Sequence, residues 1–323
     1  LYAPTFGANR QKLAGYGLQD RVEEFNLRLV ELTKRVAEPA GVLVGGDISP
    51  AGVMIEPYGD LTFDQLYDIY LEQAIALKKA GVDFLIVETQ MSLADMRAGV
   101  LAAKEVGLPV FVTMTVEENG RSIMGANPLS VLITLQAMGA DAVGLNCSTG
   151  PKRMGGILKE LLPHAAVPLI AKPNAGKPCE ENPAHYDLSP TQFAAEMKSL
   201  RQSGVAILGG CCGTTPAHIA ALAATLREPV PACPLPAEPD NFAGAIEGEP
   251  FFLGDDIVLS EPLECSYDLA DELIDLEDET VNAVLITVST KEEAQTLIES
   301  AAMTRLPIVV HCSDLNVLAH TLR

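Results

Sequence analysis

Short apolar runs recur along the first 228 residues and alternate with stretches in which apolar positions return every three to four residues. Runs at 1–5, 41–46, 84–88, 110–115, 142–147, 169–173 and 206–210 predict strands. Most are nearly continuous rather than alternating, as strands buried on both faces of a parallel sheet should be. The periodic stretches predict helices at 20–37, 62–80, 93–106, 128–138, 154–162, 189–203 and 216–226. Thr62 with Gln65 has capping-box spacing, and Ser189 with Gln192 repeats it with Pro190 at the first helical position. Gly81 and Gly139 stand where helices end before the next strand.

Seven βα repeats predict an α/β fold, either a (β/α)8 TIM-type barrel or a doubly wound sheet. Chemistry-bearing residues recur at the strands' C-terminal ends: Asp47, Glu88, Thr115, Asn146, Cys147, Asn174, Cys211 and Cys212. A barrel gathers such residues at one mouth, whereas an open sheet spreads them along an edge, so the barrel is expected. With seven strands legible, its first strand is expected to be missing from this chain. Six prolines between 229 and 250 predict an extended linker. Residues 251–323 return to α/β character, with strands at 281–288 and 307–312 and helices at 291–302 and 314–322.

Composition narrows the function. Of 323 residues, 43 are Asp or Glu and 22 Lys or Arg, a net charge of -21. The imbalance is concentrated in residues 231–323, which hold 19 acidic and 3 basic residues, net -16. Such a chain is unsuited to nucleic acid or to an anionic membrane surface. No signal peptide and no run of transmembrane length is visible, and seven scattered cysteines fit a reduced, cytoplasmic setting better than a disulfide framework.

The densest chemistry is Gly209-Gly210-Cys211-Cys212-Gly213-Thr214-Thr215-Pro216, with a third thiol at the strand end Asn146-Cys147. Three readings stay open: buried inert thiols, a strained vicinal disulfide, and a zinc site. Zinc accepts thiolates, and a catalytic site keeps three protein ligands and one open position, which flanking glycines would leave uncovered. Cys179, Cys233, Cys265 and Cys312 read as non-ligands. Glu88 closes an apolar strand and suits a substrate ammonium, or equally a structural ion pair. Asn146 reads as a brace for the metal loop or the substrate, and Asn174 as a turn residue. The histidines, His218 among them, have no ligand spacing and read as surface residues. Glycines at 150–156 match no phosphate-binding fingerprint.

Taken together, Gly144-Leu145-Asn146-Cys147-Ser148-Thr149-Gly150-Pro151 and the Cys-Cys segment resemble the zinc-binding signature of the homocysteine S-methyltransferase family. That family includes the homocysteine-binding domain of cobalamin-dependent methionine synthase and betaine–homocysteine methyltransferase. Thr5-Phe6-Gly7-Ala8-Asn9-Arg10, Val87-Glu88-Thr89, Thr113-Met114-Thr115 and Lys172-Pro173-Asn174-Ala175-Gly176 follow in the family's order, over about residues 1–227. The resemblance implies a (β/α)8 barrel with Cys147, Cys211 and Cys212 as zinc ligands. It further implies Glu88 on the substrate amino group and methyl transfer to homocysteine, giving methionine. The family's Asp-Gly-Ala-Met-Gly-Thr-like opening strand is not in this chain. The tail, through Ile286-Thr287-Val288-Ser289-Thr290 and His311-Cys312-Ser313-Asp314, resembles the start of a pterin-binding barrel. That favours a multidomain enzyme in which other domains supply methylcobalamin or methyltetrahydrofolate. A stand-alone enzyme using S-methylmethionine or a betaine-type donor, and a non-catalytic metal-binding barrel, are the alternatives.

Overall fold

The computed structural model describes residues 1–56, 58–179, 182, 185–226, 243–252 and 257–322. The chain divides into two compact units, Leu1–Asn241 with Glu247–Glu249, and Phe242–Ile246 with Pro250–Arg323.

In the first unit a short helix α1 (Arg10–Ala14) and α2 (Val22–Ala37) precede a regular βα alternation. It runs β1 (Gly45–Ile48), α3 (Phe63–Ala80), β2 (Phe84–Gln90), α4 (Leu93–Glu105), β3 (Val110–Met114) and α5 (Pro128–Ala137). It continues through β4 (Ala142–Asn146), α6 (Pro151–Leu161), β5 (Leu169–Lys172), α7 (Pro190–Ser203), β6 (Ile207–Leu208) and α8 (Pro216–Thr225). The strands pair in parallel in chain order, and Tyr2 adds a parallel bridge to Gly45 on the outer side of β1.

The unbroken apolar runs have the cause expected of them. Leu85, Val87, Val110, Val112, Val143, Leu145, Leu169 and Ala171 pack outward into one core with the helices, where Leu66, Tyr70, Ala74 and Leu77 line the buried stripe of α3. The alternate positions, Phe84, Ile86, Phe111, Ala142 and Ile170, share the opposite face, where the Phe84 and Phe111 rings stand 4.8 Å apart. The sheet is strongly curled. Tyr2 and β5 are five strand spacings apart, roughly 24 Å in a flat sheet, yet the Lys172 ammonium lies 4.0 Å from the Tyr2 ring centroid. Among the described residues the edges at Tyr2 and β6 are not paired with each other.

Caps act where the sequence placed them. Thr62 and Gln65 close a reciprocal capping box on α3, as do Ser189 and Gln192 on α7. Gly81 and Gly139 adopt the left-handed conformation. Three expectations shift. The strand expected at 41–46 lies at β1, because Val42 and Leu43 are exposed on its approach. Helix α6 begins at Pro151, three residues early, with proline at its first position. His218 is buried and satisfied, not a surface residue: Nε2 bonds the Leu188 carbonyl at 3.0 Å, Nδ1 accepts from Thr215, and the ring packs edge-on to Phe193.

Of the proline-rich stretch, residues 229–242, with Cys233, lie outside the described residues. Beyond them β7 (Ala243–Ala245) and β8 (Pro250–Phe252) pair antiparallel, so this part is a hairpin rather than an extended linker. Between the two strands, Glu247 belongs to the first unit, where its carboxylate accepts from the Leu93 amide and its carbonyl from the Asn127 amide. The second unit carries a parallel sheet in the order β11 (Ile308–His311), β10 (Val284–Thr287), β9 (Leu263–Glu264). With α9 (Leu269–Asp275), α10 (Lys291–Ser300) and α11 (Leu315–Thr321) it has its own small core. Among the described residues no helix is long and apolar enough to cross a membrane.

Candidate active site

Three loops at the C-terminal ends of β4, β5 and β6 build the site. Pro173 stops β5, and the extended tail Lys172–Ala175 runs between the two cysteine loops and bonds both. The Cys147 amide donates to the Lys172 carbonyl at 3.0 Å and the Cys211 amide to the Pro173 carbonyl at 2.8 Å. The Ala175 amide donates to the Cys212 carbonyl at 2.9 Å, and the Cys212 amide to Asn174 Oδ1 at 3.0 Å. Asn174, which reads as a turn residue, is in fact a buried strut beneath the Cys-Cys pair. Its Asx character in a Pro-Asn-Ala-Gly turn was the available signal, though it could not name the partner.

These struts bring together what the chain separates by 64 residues. The sulfurs of Cys147, Cys211 and Cys212 lie within 4.8 Å of one another, with Cys147 Sγ and Cys212 Sγ at 3.6 Å. Cys147, Cys179, Cys211, Cys212, Cys265 and Cys312 are free thiols, which leaves no vicinal disulfide. The neighbouring Cys211 thiol holds Cys147 below the usual thiol range, and the Cys147 thiol together with burial pushes Cys211 well above it. Thiols crowded in this way are in a state that a soft cation would relieve.

Among the described residues, the non-glycine residues at positive φ are all here: Thr89, Cys147 and Ser148, at 59°, 63° and 55°, a conformation costly for side chains other than glycine. Asn146 meets part of the cost. Its Oδ1 accepts from the Thr89 amide at 3.0 Å, its Nδ2 donates to Thr89 Oγ1 at 2.7 Å, and the same Nδ2 lies 3.9 Å from Cys211 Sγ. One side chain thereby ties the strained end of β2 to the thiol cluster. Gly144 is required by packing, since a Cβ there would stand 2.0 Å from the Ile170 carbonyl oxygen. Gly213, at φ 76°, leaves room for the Tyr186 ring, 2.3 Å from where its Cβ would be.

Below the thiols lies a buried charged group. Glu88, at the expected position, is 8% exposed and is ion-paired with Lys172, which reaches it across β3 and β4 from the end of β5. Asp47 lies beside Glu88, and its carboxyl is held well above the usual range, first by burial and then by the Glu88 charge. Sequence reasoning found Glu88 but not Lys172, whose local context reads as an ordinary strand-ending lysine. Cys179, Cys265 and Cys312 take no part in the thiol cluster.

The profile of the homocysteine S-methyltransferase family matches residues 1–226. Methionine synthase of Mycobacterium tuberculosis is 33% identical over 235 residues, which are 69% of this chain and 20% of that protein. Methionine synthase of Mycobacterium leprae is likewise 33% identical over 235 residues, 69% of this chain and 19% of its own length. The match therefore spans a small part of these relatives. Crystal structures of the homocysteine methyltransferase MmuM from Escherichia coli, in oxidised and metallated forms, each superpose with a TM-score of 0.58 at 23% identity. They cover 69% of this chain and 78% of theirs, a likeness of fold. With a family profile matched along residues 1–226, well over half of its length, the chain belongs to the homocysteine S-methyltransferase family.

Proposed function

We propose that this chain is the homocysteine-activating module of a methionine synthase, transferring a methyl group to the homocysteine thiol to give methionine. The observation that carries the reading is the convergence of three thiols from two strand ends at one mouth of a curled parallel sheet. The donor set fits zinc: three soft sulfur ligands and no carboxylate or imidazole among them. Cys147, Cys211 and Cys212 are the proposed ligands, and three protein ligands leave the fourth position to substrate, the pattern of catalytic rather than structural zinc. Bound there, Zn²⁺ lowers the pKa of a coordinated thiol, so that a nucleophilic sulfur exists at neutral pH.

The chain's own residues hold and orient. The Lys172–Ala175 tail fixes both cysteine loops, Asn146 braces Thr89 against them, and the buried group around Glu88 is the proposed seat of the substrate's amino end. In the reaction the donor–methyl bond breaks, the sulfur–methyl bond forms and the thiol proton is lost. Methylcobalamin, recharged from methyltetrahydrofolate by other domains, is the proposed donor, in a cytoplasmic, reducing setting. The (β/α)8 barrel is the proposed closed form of the curled sheet, residues 1–228 its domain, and the acidic tail the start of a pterin-binding-like domain.

The test is zinc content with substrate response. The reduced full chain should hold about one zinc, and homocysteine should add a sulfur to its X-ray absorption spectrum. Methionine should form when methylcobalamin is added. Zinc that ignores homocysteine would make the centre structural, and absence of zinc under reducing conditions would end the reading.

A further inference from the structure

The buried charges beneath the thiols do not balance. Lys172 is spent on Glu88. Asp47 is 6% exposed, lies beside Glu88, and has an Oδ1 with no hydrogen-bond partner among the described residues. Its placement is not accidental, because the Thr5 hydroxyl both accepts from the Asp47 amide and donates to the Asp47 carbonyl, each at 2.9 Å. The groups that face Asp47 are Glu88 from β2, Lys172 from β5, Lys12 from α1 and the Tyr2 phenol. The Lys12 ammonium is already engaged, 2.7 Å from Ser49 Oγ and 4.6 Å from the Phe6 ring centroid. Two carboxylates therefore share one close cation, and a buried oxygen stands empty. An uncompensated buried acceptor is costly unless something else fills it.

We propose that Asp47 is a specificity residue for the amino end of the substrate: its Oδ1 receives a primary ammonium, while Lys172 remains on Glu88. The inference rests on the methyltransferase reading and deepens it. When the ammonium enters, two carboxylates face two cations, and the proton that Asp47 keeps in the empty site leaves to solvent. A thiol without an amino group would leave Asp47 as it is now, unpaired, and so would bind more weakly.

The test is calorimetry on the reduced, zinc-loaded full chain. Homocysteine is compared with 4-sulfanylbutanoic acid, the same thiol without its amino group. The native chain should prefer homocysteine by about 10- to 100-fold, the size of a charge-assisted hydrogen bond. Asp47→Asn, which keeps the shape and removes the charge, should remove most of that preference by weakening homocysteine alone. Zinc content and affinity for 4-sulfanylbutanoic acid should not change. An undiminished preference in Asp47→Asn overturns the proposal. Should the variant fail to fold, the native chain decides. With ¹³C-carboxyl-labelled aspartate, the buried resonance should shift on adding L-2-aminobutyrate and not on adding butyrate; no shift overturns the proposal. If neither thiol binds but aminobutyrate still moves that resonance, the methyltransferase reading fails and the amine site stands.

Discussion

At the scale of single residues the site is a balance of crowded like groups. Cys147 is held below the usual thiol range by the neighbouring Cys211 thiol, and Cys211 is pushed well above it by Cys147 and by burial. Thiol alkylation follows the thiolate fraction. In zinc-free, reduced protein, iodoacetamide should therefore label Cys147 at a lower pH than Cys211, because the first is shifted down and the second up. Peptide mapping by mass spectrometry reads the order, and equal onset at both positions would refute it. Saturating zinc should protect Cys147, Cys211 and Cys212 together while leaving Cys179 reactive. Replacing any one of the three by Ala should take bound zinc from about one per chain to near none, measured by plasma mass spectrometry. Retained zinc in Cys211→Ala would remove it from the ligand set. The three thiols were legible from sequence because each follows an apolar run at a strand end, Cys211 and Cys212 with glycine on either side of the pair. The charges beneath them were not. Lys172 meets Glu88 across 84 positions of sequence, and Asp47 meets it across a strand pair. Nothing local to any of the three encodes the contact, which exists only once the sheet has curled.

At the scale of elements the sequence was most readable where one local rule sufficed. Strands buried on both faces announce themselves as unbroken apolar runs, and α3 and α7 begin at their capping boxes. The errors have equally local causes. Helix α1 spans five residues and has too few turns to show a period. Strand β9 is two residues long, and α9 is masked by its acidic residues. His218 looked like a surface histidine in a helix's first turn, yet that turn is pinned under α7. It accepts from Thr215 through Nδ1 and donates through Nε2 to the Leu188 carbonyl, fixing the neutral tautomer. His218→Ala removes a buried ring and both bonds, and should cost about 2–3 kcal/mol of unfolding free energy in urea titration. Ser189→Ala removes only a cap and should cost about 1 kcal/mol. If the two losses are equal, His218 contributes nothing beyond its cap.

At the scale of the whole molecule the charge is uneven, and that bears on stability. Residues 231–323 carry net -16, while the rest of the chain carries -5. Among the described residues, the second unit's core cluster is small: Leu269, Leu273, Val284, Ile286, Val288, Ala294, Leu297 and Val317, with a few partly buried neighbours. Its acidity reaches inside: burial, and then Glu293 and Glu264, push the Cys265 thiol up to about 11. A small core under strong self-repulsion gains from screening, since at ~0.15 M salt the Debye length falls to about 8 Å and exposed like charges no longer feel one another across the unit. The first unit has a larger core and carries -9 over 244 residues, against -12 over 79 in the second, so it has less to gain. Thermal unfolding of the full chain should therefore show two transitions with opposite sensitivities. Raising salt from 10 to 300 mM, on the order of a threefold or greater fall in screening length, should move the second unit's transition up by several degrees. It should leave the first within a degree or so. With the proposed ligand set, zinc should raise the first transition alone. Calorimetry with and without zinc at each salt separates the two. A single transition responding to both additions would mean that the units unfold as one, so that zinc added to the thiol cluster also stabilises the second unit.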